Sequence, residues 1–136
     1  MTKERKIIIL LISIAVVIIL AAVFLLYWSG SQLQPKSKYA NEVLVGNEAL
    51  LVINNGASER MFKGGVADGA TVTDILQAAS LAGKFDFSAD SEIHSLDGLP
   101  ANGNKKWQCY LNNQLIKDDL SKETIHPQDR VLCEYK

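Results

Sequence analysis

Cys109 and Cys133 are the residues of this chain whose types could react covalently with each other. Both fall on inward-facing positions of strands predicted at 107–111 and 131–135, because alternate side chains of a strand share a face. If the two strands are neighbours, the thiols can form a disulfide, as an even pair of cysteines often does outside the membrane. Two buried free thiols, which pack as small apolar groups, are the alternative. The sequence leaves both open.

Catalytic and metal-binding patterns are missing from the sequence around these cysteines. No general base accompanies Cys109, and neither His94 nor His126 has neighbours at zinc-ligand spacing. Lys63-Gly64-Gly65 lacks the longer frame of a phosphate-binding loop. A loose acidic cluster does not have the spacing of a calcium loop and is interpreted as a solvated loop: Asp86, Asp90, Glu92, Asp97. We therefore predict a non-enzymatic domain with no metal site and no cofactor.

The stretch 107–113 is predicted to be a strand that runs into a tight turn. One face of the strand carries Trp107, and the other carries Gln108, Tyr110 and Asn112. We predict Trp107 to be a core aromatic, although it also belongs to the candidate binding surface. Tyr110 is predicted to be an exposed contact, since an aromatic ring with a polar tip suits interfaces. Asn112-Asn113 predicts a two-residue hairpin turn, because Asn tolerates positive φ.

Residues 7–28 form an apolar run that is long enough to cross a membrane. The run contains 22 residues without a charge, and as a helix it spans about 33 Å, more than a hydrocarbon core of about 30 Å. The alternative is a cleaved secretory signal, with Ser29 and Ser31 around the cut. Its apolar region would be shorter, about 7–15 residues. Tyr27 and Trp28 favour an uncleaved span with interfacial aromatics.

Charges around this run predict its orientation and the partners of the domain that follows. Lys3, Arg5 and Lys6 precede it, which favours a cytoplasmic tail at 1–6 and an extracytoplasmic C-terminal domain. The polar stretch 29–42 is predicted to be a flexible linker. Residues 43–136 carry nine Lys/Arg and thirteen Asp/Glu, a net charge of −4. This balance argues against nucleic acid as a partner.

The apolar pattern of 43–136 predicts an α+β domain in which one helix packs on a mixed sheet. Residues 49–53 are continuously apolar, as in a strand buried on both faces, and Asn55-Gly56 predicts a hairpin turn into a second strand at 59–66. Thr71 and Asp74 predict the capped start of the helix, and Gly83 its end. The remaining predictions are an irregular 85–91, a short strand at 93–96, and the strands at 107–111 and 131–135.

Four motifs in this order resemble a known family: Thr71-Val72-Thr73-Asp74-Ile75-Leu76, Ile93 through Asp97-Gly98, Trp107-x-x-Tyr110-x-Asn112, and Asp129-Arg130-Val131 with Tyr135. Together they are similar to the C-terminal β-domain of transcobalamin and intrinsic factor, which bacteria also carry as a standalone extracytoplasmic domain. The resemblance covers about residues 45–136 and implies a β-grasp-like (ubiquitin-like) fold. Asn113 and Gln128 stand where the family usually has Gly.

The resemblance also bears on function. In the vitamin carriers, cobalamin is held between this β-domain and a large helical domain, for which a chain of 136 residues has no room. What the resemblance implies is a membrane-anchored ligand-binding or interaction module outside the cytoplasm. The first alternative is a cobalamin-binding component that needs a partner with the helical domain. The second is a structural subunit of a cell-envelope complex.

Overall fold

A computed structural model describes residues 2–32 and 37–136, with side chains for 2–27 and 37–136. The chain divides into two compact units, Met1–Gln34 and Pro35–Lys136. Each unit is described by itself. Part of the predicted linker, residues 33–36, lies outside the described residues.

The first unit is a single helix, α1, at Lys3–Gln32. Within the described residues it is the one helix long and apolar enough to cross a membrane, with Lys3–Tyr27 as the candidate span. It begins before the predicted boundary at residue 7 and ends after the predicted boundary at 28. The physical reason is that a helical backbone bonds to itself and continues through polar residues, whereas the apolar run marks only the part that could face lipid.

The second unit contains one helix and two sheets. Its elements are β1 Glu48–Asn54, β2 Glu59–Gly65, α2 Val72–Gly83, β3 Phe87–Ala89, β4 Ile93–Leu96, β5 Leu99–Pro100, β6 Trp107–Leu111, β7 Gln114–Leu115 and β8 Arg130–Tyr135. A five-stranded sheet has the order β2-β1-β8-β6-β7. Within it β1 and β8 are parallel and the other pairs are antiparallel. This mixed sheet with one packed helix confirms the predicted α+β, β-grasp-like class.

The three-stranded sheet β3-β4-β5 was not predicted as a separate sheet. Residues 85–91 were expected to be irregular, but Phe87–Ala89 pairs with β4. A register shift between Ser88 and Ala89 interrupts this short pairing. Strand β3 is only three residues long, whereas alternation indicates a strand over about four to eight residues, which explains why β3 was missed.

The hydrophobic core lies between α2 and one face of the five-stranded sheet. Strand β1 is buried on both faces from Ala49 to Ile53, as its unbroken apolar run predicted. From α2 the buried side chains are Val72, Leu76 and Ala79 at helical spacing. The core is completed by Ile93, Leu96, Trp107, Cys109, Leu120, Ile125, Val131 and Cys133.

The ends of α2 follow from local chemistry. Thr71 and Asp74 form a reciprocal capping box, as predicted. At the other end Gly83 is the last helical residue and Lys84, at φ 53°, takes the left-handed position that was expected of the glycine. Gly83 is needed for a different reason, because a Cβ there would lie 2.8 Å from Phe85 and from the Arg60 guanidinium.

Two tight turns carry side chains at positions where the backbone is left-handed. Asn112 and Asn113 have φ of 49° and 69° and join β6 to β7, so the predicted hairpin is confirmed. Gln128 has φ 72° in the turn before β8. The turns therefore keep the left-handed backbone without glycine, at the conformational cost that a side chain adds there.

The end of the predicted flexible linker is attached to the domain. The Ser37 hydroxyl and the Lys38 amide both donate to Glu59 Oε2 at 3.2 Å. Arg130 donates from Nη1 to the Tyr39 carbonyl at 3.4 Å and from Nη2 to the Glu42 carbonyl. Residues 37–42 of the predicted linker therefore make hydrogen bonds to the domain. A polar composition shows that a segment can be solvated, but it cannot show that a guanidinium is placed to bind its carbonyls.

Candidate functional site

The two cysteines are joined in a disulfide. Strands β6 and β8 are neighbours, and their register sets Cys109 directly opposite Cys133, with the Cα atoms 4.1 Å apart. Both side chains are buried on the core face of the sheet. The bridge therefore connects two central strands from the inside and closes a loop with a sequence separation of 24 residues.

Trp107 lies in the core at the end of β6. Its side chain is buried, its Nε1 donates to the Leu99 carbonyl at 2.9 Å, and its ring centroid is 5.1 Å from that of Tyr135. The hydrogen bond satisfies the polar atom that burial would otherwise leave unpaired. Trp107 thus attaches β6 to β5 and positions the small sheet against the large one.

Tyr110 was predicted to be exposed, and this prediction is wrong. It lies on the sheet face turned away from α2, as its alternation with Cys109 requires, but only 8% of it is exposed. The Lys136 ammonium lies 5.0 Å from its ring centroid and donates to its hydroxyl at 2.6 Å. That face was expected to be open to solvent, but the C-terminal lysine covers the ring there.

Lys136 is held over this ring by two partners. Its Nζ also donates to Glu134 Oε2 at 2.7 Å. Burial by itself would lower the pKa of Lys136, but the hydrogen bonds to Glu134 and Tyr110 outweigh burial and hold the pKa above its ordinary value. The lysine is therefore a charged cover of Tyr110 and leaves no open aromatic surface there.

The other two predicted surface residues have separate roles. Asn112 accepts from the Arg130 amide at 2.9 Å and donates to Asp129 Oδ1 at 2.8 Å, so it fastens the hairpin to the last strand. Gln108 is half-buried, accepts from the Tyr110 hydroxyl at 3.4 Å, and lines a cleft together with Trp107. The structure therefore brings Tyr110 into contact with Gln108, and Trp107 and Gln108 line the same cleft, whereas Asn112 bonds to the last strand.

This cleft lies between the three-stranded sheet and the β6–β7 hairpin and has a volume of about 270 Å³. Four of its apolar lining residues are Ile93, Trp107, Ile116 and Leu120. Four exposed charged residues of both signs line it as well: Glu92, Lys106, Lys117 and Asp118. Polar and apolar atoms contribute about equally to the lining of this cleft, whereas small-molecule sites are usually lined mainly by apolar side chains.

Asp90 stands beside the cleft and is firmly ionised. It accepts from the Glu92 amide at 3.0 Å and pairs with His94 Nε2 at 2.8 Å. These two contacts lower the pKa of Asp90 to about 2.

The other aspartates of the predicted acidic cluster have their own partners. Asp86 accepts from Ser95 at 2.6 Å, and Asp97 pairs with Arg60 at 2.7 Å.

Within the described ranges 2–32 and 37–136, no three His, Cys, Asp or Glu side chains are grouped so that they could hold a metal ion.

Sequence reasoning did not find the wall of the cleft at 115–118. Nothing in the local pattern marks this wall, because segments 91–93, 101–109 and 115–120 line the cavity together only in the folded chain.

Comparisons with known proteins bear on the fold. No family model matches the chain, and none of the curated proteins compared matches it in sequence. The structure is similar to haptocorrin in complex with Cbi, with a TM-score of 0.59, 12% identity, and coverage of 70% of this chain and 26% of that chain. A protein from Ruminococcus gnavus ATCC 29149, provisionally described as metal-binding, aligns at TM-score 0.54 and 14% identity over 67% of this chain and 97% of its own. At such identities the likeness shows a shared fold.

Proposed function

We propose that this protein is a membrane-anchored module that binds a small ligand outside the cytoplasm and catalyses no reaction. The observation that carries the proposal is the cleft beside Trp107, whose lining combines apolar side chains with exposed charges of both signs. Its volume of about 270 Å³ is near the lower end of ligand pockets, about 300–1,000 Å³. The ligand class that fits is a small molecule with an apolar body and a charged group.

The disulfide and the helix support the extracytoplasmic location. Structural disulfides persist in oxidising compartments and are rare in the cytosol, and Cys109–Cys133 joins two central strands of the domain. The apolar helix precedes the domain, with Lys3, Arg5 and Lys6 at its start. A span at 7–28 with its N-terminus in the cytoplasm would place the domain on the oxidising side.

The same bridge supports a binding role over a catalytic one. Cys109 lines the cleft, but as a disulfide sulfur it is not a thiolate and cannot act as a nucleophile. The charged residues at the cleft, Lys106, Lys117 and Asp118, are exposed to solvent. Exposure keeps such groups hydrated, which suits ligand recognition better than proton transfer in a dry site.

A cobalamin-binding component is the second candidate. The structural similarity to haptocorrin in complex with Cbi favours it, as do the motifs that resemble the transcobalamin β-domain. Because the chain corresponds to 26% of haptocorrin, the rest of a vitamin site would have to come from a partner with a helical domain. Weak binding of cobalamin by this chain alone would be the sign of such a half-site.

Ligand binding can be tested with the indole resonance of Trp107. The test uses a Trp28→Phe variant of the full-length chain, in which Trp107 is the sole tryptophan. The probes are benzoate, benzylammonium and cobalamin. We expect at least one of the charged aromatic fragments to shift the Trp107 Nε1–H signal in a saturable way, because this group lies beside the cleft.

Matched variants locate the response. Leu115→Arg at the cleft should remove the shift, whereas Leu81→Arg on the exposed side of α2 should preserve it. A chain whose Trp107 signal responds to none of the three probes would contradict the proposed ligand site. A response to cobalamin alone would favour the second candidate.

Membrane orientation can be tested by thiol labelling in intact cells. Leu81→Cys introduces a thiol at a side chain that is 72% exposed. A membrane-impermeant maleimide should label it before permeabilisation, because the domain is outside. A Thr2→Cys variant, also at an exposed residue, should be labelled only afterwards. The opposite order would refute the orientation, and permanent loss of the Thr2→Cys label would show that the N-terminal segment is cleaved.

A further inference from the structure

Strand β2 is the outer strand of the five-stranded sheet. Two backbone hydrogen bonds at the ends of the β1–β2 pair show which residues of β2 bond to β1. The Asn55 amide donates to the Ser58 carbonyl at 3.1 Å, and the Val66 amide donates to the Asn47 carbonyl at 3.0 Å. Hydrogen-bonded positions alternate in an antiparallel pair. The backbone groups of residues 60, 62 and 64 therefore point towards β1, and those of 59, 61, 63 and 65 point outwards.

These outward groups are open. Among residues 37–136, no backbone hydrogen bond is made by the amide or carbonyl of Glu59, Met61, Lys63 or Gly65 on the outer side. The second half of the strand, residues 63–65, is exposed. A row of unpaired donors and acceptors on an edge strand is a template for another strand.

An apolar groove of about 220 Å³ runs beside this edge, between β2 and α2. Phe62 and Val66 line it from the strand side, and Ile75, Ala78 and Ala82 from the helix. The small alanine side chains keep the groove open next to the free strand edge. The open backbone and the groove are therefore adjacent and can be covered by a single partner.

We propose that a second copy of this chain occupies this edge through antiparallel pairing of β2 with β2, centred on Met61. In that register Glu59 stands directly opposite Lys63 of the second copy, and the symmetry repeats the pair. Within each chain Glu59 keeps its contacts with Ser37 and Lys38, and Lys63 its ion pair with Glu42. Directly opposed charges of opposite sign stabilise a sheet, whereas like charges destabilise it. A pairing centred on Lys63 would set two lysines against each other, so charge selects against that register.

On the helix-facing side of the strand, this register sets Arg60 opposite Phe62 of the second copy. Within its own chain the Arg60 guanidinium pairs with Asp97 at 2.7 Å and lies 5.6 Å from the Phe62 ring. Residues paired across strands share a face, so the twofold axis is perpendicular to the sheet. Both α2 helices then lie on the same face, and the two apolar grooves meet at the joined edge.

Cross-linking in native membranes tests this register with the full-length chain. Met61→Cys would face itself across the axis at about 5.5 Å between Cα atoms, within the range that a disulfide bridges. Lys63→Cys is the matched control, because it faces residue 59 and not itself. The two natural cysteines are bonded to each other, so the introduced thiol is the one that reacts.

We expect mild oxidation to convert most of the Met61→Cys chain into a reducible dimer and to leave Lys63→Cys monomeric. In the Met61→Cys background, Glu59→Lys should cause loss of the dimer by opposing like charges. Adding Lys63→Glu to Glu59→Lys should restore it. No dimer from Met61→Cys, or equal dimer from both single cysteines, would overturn the proposal, as would a cross-link to a protein of different mass.

Discussion

Replacement of both bridge cysteines, Cys109→Ala with Cys133→Ala, should lower the free energy of unfolding by about 3 kcal/mol. The bridge restricts the unfolded chain, because it closes a loop with a sequence separation of 24 residues. It also fixes the pairing of β6 with β8 inside the core. Urea unfolding of the full-length chain in micelles measures the loss, with Trp107 fluorescence as the signal in the Trp28→Phe background.

Reduction provides the matched control for this expectation. A reductant should shift the unfolding midpoint of the chain with natural cysteines towards that of the double variant, since both treatments free the same loop. The double variant should not respond to reductant. An unreduced chain whose two cysteines are alkylated without prior reduction would contradict the bridge itself, and with it the support for an oxidising compartment.

Tyr110→Ala should lower the free energy of unfolding by about 3 kcal/mol, in the range for loss of a buried aromatic. The ring is buried on the face of the sheet turned away from α2, beneath the Lys136 ammonium. Removing it leaves a cavity and exposes the sheet face on which it packs. The same urea titration, with Trp107 fluorescence as the signal, measures the change.

Tyr110→Phe separates packing from hydrogen bonding. It keeps the ring and removes the hydroxyl that accepts from Lys136 at 2.6 Å, so a loss of about 1 kcal/mol is expected. Binding at the Trp107 cleft should survive in Tyr110→Phe, because Tyr110 does not line the cleft and its hydroxyl reaches the lining only through a 3.4 Å hydrogen bond to Gln108. If Tyr110→Ala weakens binding of a ligand or partner without any loss of stability, the residue is a surface contact after all.

Local features of the domain could be read from the sequence because their causes are local. The unbroken apolar run at 49–53 predicts a strand buried on both faces, and β1 is buried on both. The capping box of Thr71 and Asp74 and the turn at Asn112-Asn113 depend on neighbouring residues alone, and both form as predicted. The length and apolarity of α1 are likewise properties of one continuous segment.

Features that depend on distant segments could not be read in the same way. Alternation places Tyr110 on the correct face of β6, but residue 136 decides whether this face is open. Composition marks 29–42 as polar, whereas Arg130 decides that residues 37–42 are attached to the domain. Strand β3 is only three residues long, too short to give a clear periodic signal, so the three-stranded sheet is visible only in its pairing.

The sequence by itself determined the apolar helix, the α+β class, the helix cap, the hairpin turns and the two cysteines on inward-facing strand positions. Each of these follows from residue spacing within one element, where side-chain period and turn chemistry act directly. Only the tertiary structure decided that the cysteines meet, that Tyr110 is covered, that β2 is left as an open edge, and that a cleft forms beside Trp107. These depend on strand order and on contacts between segments far apart in the chain, which no local pattern records.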